Sequence, residues 1–180
     1  KGVNSLIDLA EDVREAQFAV IGGNAEEVEA LRAEVMRRKL GNVFLSGHVP
    51  ISRVPWYLTA ADVLLIPPTA GPLKRAGRTV LPMKVFTYLA AGRPILAPDL
   101  GDTRAVLVDG KNSLRVHPDD REDAANGLRR LIFDSALALR LGEGAAVDSK
   151  RYTWSGRAER LVAFLERRIA AQGSSTSAKS

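Results

Sequence analysis

Phe18-Ala19-Val20-Ile21-Gly22-Gly23-Asn24, the charged stretch from Ala25 to Leu40, and then Gly41-Asn42-Val43-Phe44-Leu45 decide the architecture. The first four residues form an apolar run the length of a buried strand, and Gly22-Gly23 ends it in a tight turn. Asn24 carries the short side chain that accepts a hydrogen bond from the opening amides of a helix. Val28, Leu31, Val35 and Met36 then recur in one helical stripe. Gly41 is suited to the left-handed residue on which a helix stops, and Val43-Phe44-Leu45 is a second strand. Strand, helix, strand without a hairpin turn is the pattern of a parallel pair.

The alternation extends both ways. Upstream, Leu6, Ile7, Leu9, Ala10 and Val13 predict an amphipathic helix over Val3–Arg14. Downstream, Gly47-His48-Val49-Pro50 is a turn, Val54–Ala61 a short helix, and Asp62–Ile66 a strand halted by Pro67-Pro68. A basic loop, Thr69–Thr79, leads to a helix that opens at Pro82 and stops at Gly92. Pro94–Ala97 and Ser113–Val116 are further strands, with helical turns over Asp102–Leu107 between them. Helices follow over Asp119–Phe133, Ala136–Val147 and Ser155–Ile169. The reading is an α/β fold, a doubly wound, Rossmann-like parallel sheet over residues 1–171, with 172–180, small and polar, as a disordered tail. Ligands of such sheets sit beyond the carboxyl ends of the strands. The loops there are Gly22–Asn24, Gly47–Pro50 and Pro67–Thr79.

Composition narrows the chemistry. The chain has 180 residues, 46% of them apolar, which fits one packed domain. Without cysteine there is no disulfide, zinc-thiolate site or thiol nucleophile, which suits a reducing cytoplasm. With only two histidines, far apart, a metal site is not expected. No apolar run reaches the roughly 18–20 residues that span a bilayer, and the start has no signal-peptide core. The net charge of +5 favours anionic partners: nucleotide phosphates, nucleic acid or an acidic membrane face. Its placement is more specific. Lys74, Arg75, Arg78, Lys84 and Arg93 lie together, and no acidic residue falls between Asp62 and Asp99. Nucleic acid is not the expected partner, because the few aromatics are not interleaved with these cations.

That acid-free stretch contains Gly77-Arg78-Thr79-Val80-Leu81-Pro82-Met83-Lys84, a basic loop feeding the first turn of a helix. The opening amides of a helix lack intrahelical partners and carry partial positive charge, so they suit a phosphate or pyrophosphate. Arg78 supplies a forked donor and Lys84 a point charge. A bare helix start facing water accounts for the same residues equally well.

Seven segments, in order, resemble the C-terminal domain of the retaining GT-B glycosyltransferases of "group 1", family 4. They are Lys1-Gly2-Val3 with Leu6-Ile7; Phe18–Gly23; Val43–Val49; Ala61-Asp62-Val63 with Pro67; Lys84–Ala97; Asp109–Asn112 with Pro118–Asp120; and Tyr152-Thr153-Trp154. The resemblance covers about Lys1 to Ile169. It implies that this domain binds a nucleotide-diphosphate sugar, of UDP or GDP type, as substrate, with no cofactor and no metal. Lys1, Arg78 and Lys84 would then stabilise the leaving phosphates. Gly22 and Gly23 match the turn beside the donor, Val49, just after His48, the position that holds the base edge through its backbone, and Met83 and Lys84, following Pro82, the helix-start residues whose N–H groups hold the pyrophosphate. His48 itself is a candidate donor contact that reads more readily as a solvated or packing turn residue. The family's two glutamates, eight positions apart, correspond here to Thr79 and Thr87, and neither can form a carboxylate. Thr87 can still hydrogen-bond a hydroxyl.

The resemblance also implies a missing N-terminal acceptor-binding domain and a missing first strand of this domain, so the isolated chain is expected not to transfer sugar. The acceptor would be a glycan or lipid-linked, at the cytoplasmic face of the membrane if the protein associates peripherally. A catalytically silent nucleotide-binding homologue is the alternative, motivated by Thr79 and Thr87; a sugar-nucleotide epimerase fits the motif order less well. His117 reads as a turn residue, Trp56 and Tyr57 as packing, and Arg104 as a solvated helix start. Leu161, Val162, Leu165 and Ile169 form a stripe that needs a partner.

Overall fold

The computed structural model describes residues 2–71 and 81–176, with side chains through residue 169. The elements are α1 (Val3–Asp12), β1 (Phe18–Ile21), α2 (Ala25–Arg37), β2 (Val43–Gly47), α3 (Val54–Ala60), β3 (Leu64–Leu65), α4 (Lys84–Ala91), β4 (Ile95–Pro98), α5 (Gly101–Arg104), β5 (Leu114–Val116), α6 (Arg121–Phe133), α7 (Ser135–Ser149) and α8 (Trp154–Thr176). Every strand pairing is parallel, as the strand–helix–strand rhythm demands. The expected α/β, Rossmann-like class is what the chain adopts. No helix of the described residues is long and apolar enough to cross a membrane.

The core sits on β4 and β5. Leu96, Leu114 and Val116 pack with Leu9 and Val13 of α1, Leu128 and Leu131 of α6 and Leu141 of α7. On the other face Ile95 and Ala97 meet Leu64, Ile66, Val85, Leu89 and Leu107. Burying a side chain of this size stabilises by about 1.5–3 kcal/mol, and Ile95, Leu96 and Ala97 are fully buried. The run is apolar throughout because helices cover both of its faces.

Several boundaries differ from the pattern reading. Asn24 caps α2 as expected, in a reciprocal capping box with Glu27. The helix ends at Arg37 rather than Leu40, and Lys39 takes the left-handed conformation (φ 54°) assigned to Gly41. A tertiary tie sets this end: Arg38 binds Asp8 and Glu34, both at 2.5 Å. Buried Asn42 also donates through Nδ2 to the Ala10 and Ala16 carbonyls, at 2.9 and 3.0 Å. The strand expected over Asp62–Ile66 pairs only at Leu64–Leu65. The last helix continues to Thr176, past Gln172 where the tail was expected to begin.

The expected single sheet is divided. β1 and β2 form one ladder, and β3, β4 and β5 another, with no pairing between β1 and β3. A cleft of about 2320 Å³ separates them, walled by Phe18–Gly22 on one side and Val63–Leu65 on the other.

Candidate active site at the carboxyl edge of the strands

The turns after β1 and β2 are stitched to each other. Gly22 and Gly23 have φ of 106° and 101°, a region that L side chains rarely adopt. Gly22 donates its N–H to the Gly47 carbonyl at 3.0 Å and lies 3.3 Å from Ser46 Oγ. A Cβ on Gly23 would stand 3.1 Å from the Val28 side chain, so the turn lies flat against α2. His48 is exposed and Val49 half-buried, and both line the cleft beside Gly22 and Gly23.

α4 supplies the other wall. Its first helical residue is Lys84, two residues after the expected start, with Pro82 and Met83 as a lead-in. Val85 and Phe86 donate their amides to Pro82 O and Met83 O, at 3.0 and 3.3 Å. The described chain leaves this helix end uncovered: Met83 is 70% exposed, and Lys84 and Thr87 are exposed as well. The Thr87 hydroxyl donates to Lys84 O at 2.8 Å, so its proton is committed to its own helix and only its lone pairs face outward.

Two anchors hold α4 in place. Val85 and Leu89 are fully buried beneath it. At its far end Gly92, φ 65°, lies so close to Gly142 of α7 that a Cβ on Gly142 would stand 2.6 Å from the Gly92 carbonyl oxygen. Two glycines let these backbones meet.

Asp119 organises the loop after β3. It holds φ 66°, unusual for a residue with a side chain. Its N–H donates to Pro68 O at 2.9 Å, while its carboxylate accepts from Thr69 Oγ1 at 2.5 Å and from the Ala70 N–H at 3.2 Å. The segment that enters the basic loop is thereby fastened to the end of β5.

Further along this edge, Arg104 binds Asp99 through two contacts of 2.7 Å, and Arg115 Nη1 lies 2.9 Å from Asp99 Oδ1. The Arg104 hydrogen bonds chiefly hold the Asp99 carboxyl below the usual range. Arg104 is therefore an ion-pair partner, not a lone solvated cation. His117 Nδ1 lies 2.8 Å from Asp123, which raises the imidazole pKa by hydrogen bonding and charge.

The cleft thus brings together Gly22, Gly23, His48, Val49, Lys84 and Thr87. Pro82 and Met83 stand at the helix start, outside the cleft's lining. Lys1, Arg78 and Thr79 lie outside the described residues. The sequence reading missed Thr69 and Asp119 as organisers; the bond joins residues fifty apart, and no local spacing announces it. Among the described residues, no group of three His, Asp or Glu side chains converges as a metal ligand set.

Glycine turns, ordered loops and a helix start left uncovered by the described residues gather at the carboxyl ends of the parallel strands, the edge at which Rossmann-like α/β domains hold their ligands. The chain belongs to the glycosyl transferases of group 1, whose family model matches residues 1–134. An uncharacterized glycosyltransferase of Methanocaldococcus jannaschii, MJ1178, is 23% identical over 154 residues, 86% of this chain and 41% of its own length. Sucrose-phosphate synthase of Thermosynechococcus elongatus shares the fold with a TM-score of 0.80 at 21% identity, over 95% of this chain and 43% of that one. Anabaena Alr3699/HepE, solved in complex with UDP and glucose, superposes with a TM-score of 0.71 at 17% identity, over 91% of this chain and 44% of that one. The chain spans about two fifths of the length of such relatives, and corresponds to their C-terminal part.

Proposed function

We propose that this domain binds the donor, a nucleoside-diphosphate sugar of UDP or GDP type, for a retaining transfer to a glycan or lipid-linked acceptor held by an N-terminal domain. One observation carries the reading. The first turn of α4, with Lys84 and Thr87, borders the same cleft as the Gly22-Gly23 turn. The UDP and glucose in the Anabaena relative are a ligand of the class such a cleft suits.

The chemistry follows from charge. When the bond between the anomeric carbon and the β-phosphate oxygen breaks, its electron pair stays with the nucleoside diphosphate. Donors fixed in advance around that oxygen stabilise the transition state more than the ground state. The α4 amides and the Lys84 ammonium are the described groups suited to this role, and Arg78 and Lys1 are the proposed further cations. The ribose hydroxyls would meet the lone pairs of Thr87, a weaker acceptor than a carboxylate.

Calorimetric titration of the chain with UDP-glucose and GDP-mannose tests the reading. Removing the ammonium in Lys84→Ala takes away a charge-assisted contact of about 1.5–3 kcal/mol, which weakens binding roughly 10–100-fold. Binding of neither nucleotide sugar, or equal binding by the variant, would refute it. Donor binding without transfer is the expected behaviour of the isolated chain.

A further inference from the structure

The outer edges of the two ladders are guarded unequally. An open strand edge is a row of unpaired amides and carbonyls that can template pairing with another chain, and short length, charged side chains or proline usually blunt it. β5, at one edge, has three residues and carries Arg115, which is ion-paired to Asp99 at 2.9 Å. β2, at the other, runs Val43-Phe44-Leu45-Ser46-Gly47, with neither a charge nor a proline. Among the described residues no strand lies along its side away from β1.

The ladder fixes which groups are open. Phe18 donates to Asn42 O at 2.7 Å and is in register with Val43. Alternate residues of a parallel pair bond to opposite sides, so Asn42 and Phe44 turn to β1, while Val43 and Leu45 present N–H and C=O outward. Side chains alternate between the two faces of the sheet. Val43 packs against the core beside Phe18. Phe44 lies on the other face, 57% exposed, next to its register partner Ala19, which is exposed as well.

α2 indicates which partner suits this edge. It packs along β2, and its exposed charge is sorted along its axis, with Glu26 and Glu29 in the first half and Arg32 and Arg37 in the second. Met36, on the same helix, is 71% exposed. Beside a copy of itself running the opposite way, each acidic half meets a basic half; beside a parallel copy, like charges meet. An antiparallel strand junction sets the two α2 helices in the favourable sense.

We infer that the outer edge of β2 is the contact surface for a second copy of this chain, joined antiparallel about a two-fold axis at Phe44. Val43 of each copy exchanges both backbone bonds with Leu45 of the other. Phe44 then opposes Phe44 of the second copy at a position without mutual backbone bonds, where Cα atoms approach to about 4.5 Å and side chains are closest. The glutamate half of each α2 faces the arginine half of the other. Because the axis reverses the strands, the two carboxyl edges point apart and each copy keeps its own cleft accessible. The contact is independent of what the clefts bind.

The chain has no cysteine, so a single introduced thiol reports the contact cleanly. Phe44→Cys places two thiols at a Cα separation within the roughly 4.4–6.8 Å that disulfides span, and it should oxidise to a covalent dimer. Phe133→Cys, at another exposed ring, should do so at least about tenfold more slowly. Sedimentation equilibrium of the parent should show a reversible dimer. Phe44→Lys sets like charges opposite each other and should raise the dissociation constant at least about tenfold. In the parent, the Val43 and Leu45 amides should exchange more slowly as concentration rises, with Phe44 changing far less. A parent that stays monomeric to about 1 mM leaves this edge to a partner of another kind and overturns the inference. Equally fast cross-linking of the two cysteine variants overturns it too, as does a dimer that survives Phe44→Lys but is lost in Leu165→Lys, on α8.

Discussion

Replacing Gly142 by alanine tests how the site helix is held. A Cβ there would sit 2.6 Å from the Gly92 carbonyl oxygen, closer than the 3.0 Å floor for real contacts, so the α4 and α7 backbones must separate by at least about 0.4 Å. Alanine at a helical position gains about 1 kcal/mol over glycine, whereas forcing extra volume into a packed interior costs about 1–3 kcal/mol. The net loss is near 1 kcal/mol, or a fall in Tm of roughly 2–4 °C at this chain length. Gly144→Ala is harsher, because its Cβ would stand 2.0 Å from the Lys111 carbonyl oxygen. It should lose about twice as much or more, by the same overpacking argument.

The control is Gly156→Ala in the first turn of α8, where only the side chains of Thr153 and Arg160 lie near, at 3.2 and 3.4 Å. Its melting point should hold or rise. Gly142→Ala alone displaces α4, so donor affinity measured by titration should fall several-fold there and stay constant in Gly144→Ala per folded molecule. A Gly142→Ala variant that melts higher than the parent, as the control does, would refute the close contact between α4 and α7.

Asn112 is fully buried; its Oδ1 accepts from Val108 N–H at 2.7 Å and its Nδ2 donates to Asp148 at 2.8 Å. Asn112→Ala should cost about 2–4 kcal/mol in urea unfolding, because it leaves buried partners unsatisfied. The pairing of His117 with Asp123 has a defined pH signature. The imidazole pKa is raised above 6.5, so the pair's contribution is complete below pH 6.5 and is lost as pH rises through the raised value. Asp123 is lowered below 3.8, chiefly by the His117 backbone N–H, so its contribution is present above 3.8 and is lost as pH falls through the lowered value. Melting curves of His117→Ala should show a weaker alkaline decline than the parent between pH 6 and 9. Asp119→Ala and Asp119→Gly should both speed hydrogen exchange at Ala70, and the glycine variant should melt higher because the φ of 66° strains alanine by about 1 kcal/mol or more.

Strand and helix order was legible because buried parallel strands are written as short apolar runs and surface helices as stripes. Asn24 was legible as a cap because the capping box is local. Lys39, in place of Gly41, was not, because the end of α2 is fixed by ion pairs from Arg38 to α1, thirty residues away. Lys84, Thr87, Gly22 and Gly23 line one cleft, since each sits at a strand or helix end that the topology turns to one side. Asp119 escaped notice because its role depends on a contact with Thr69 and on a backbone angle, neither of which a linear spacing encodes. The apolar periodicity was equally silent on the division of the sheet, since each half-sheet reads as a normal parallel run.

The rings of Phe86 in α4 and Tyr152 at the root of α8 lie 5.4 Å apart. Beyond that root α8 runs 23 residues, a rod of about 35 Å. A tilt of about 5° at the ring contact would therefore sweep the far tip through about 3 Å. Leu161, Phe164 and Ile169 ride outward on this lever, each at least half exposed. Small motions of the helix proposed to hold the donor would reach whatever those side chains touch as ångström-scale strokes.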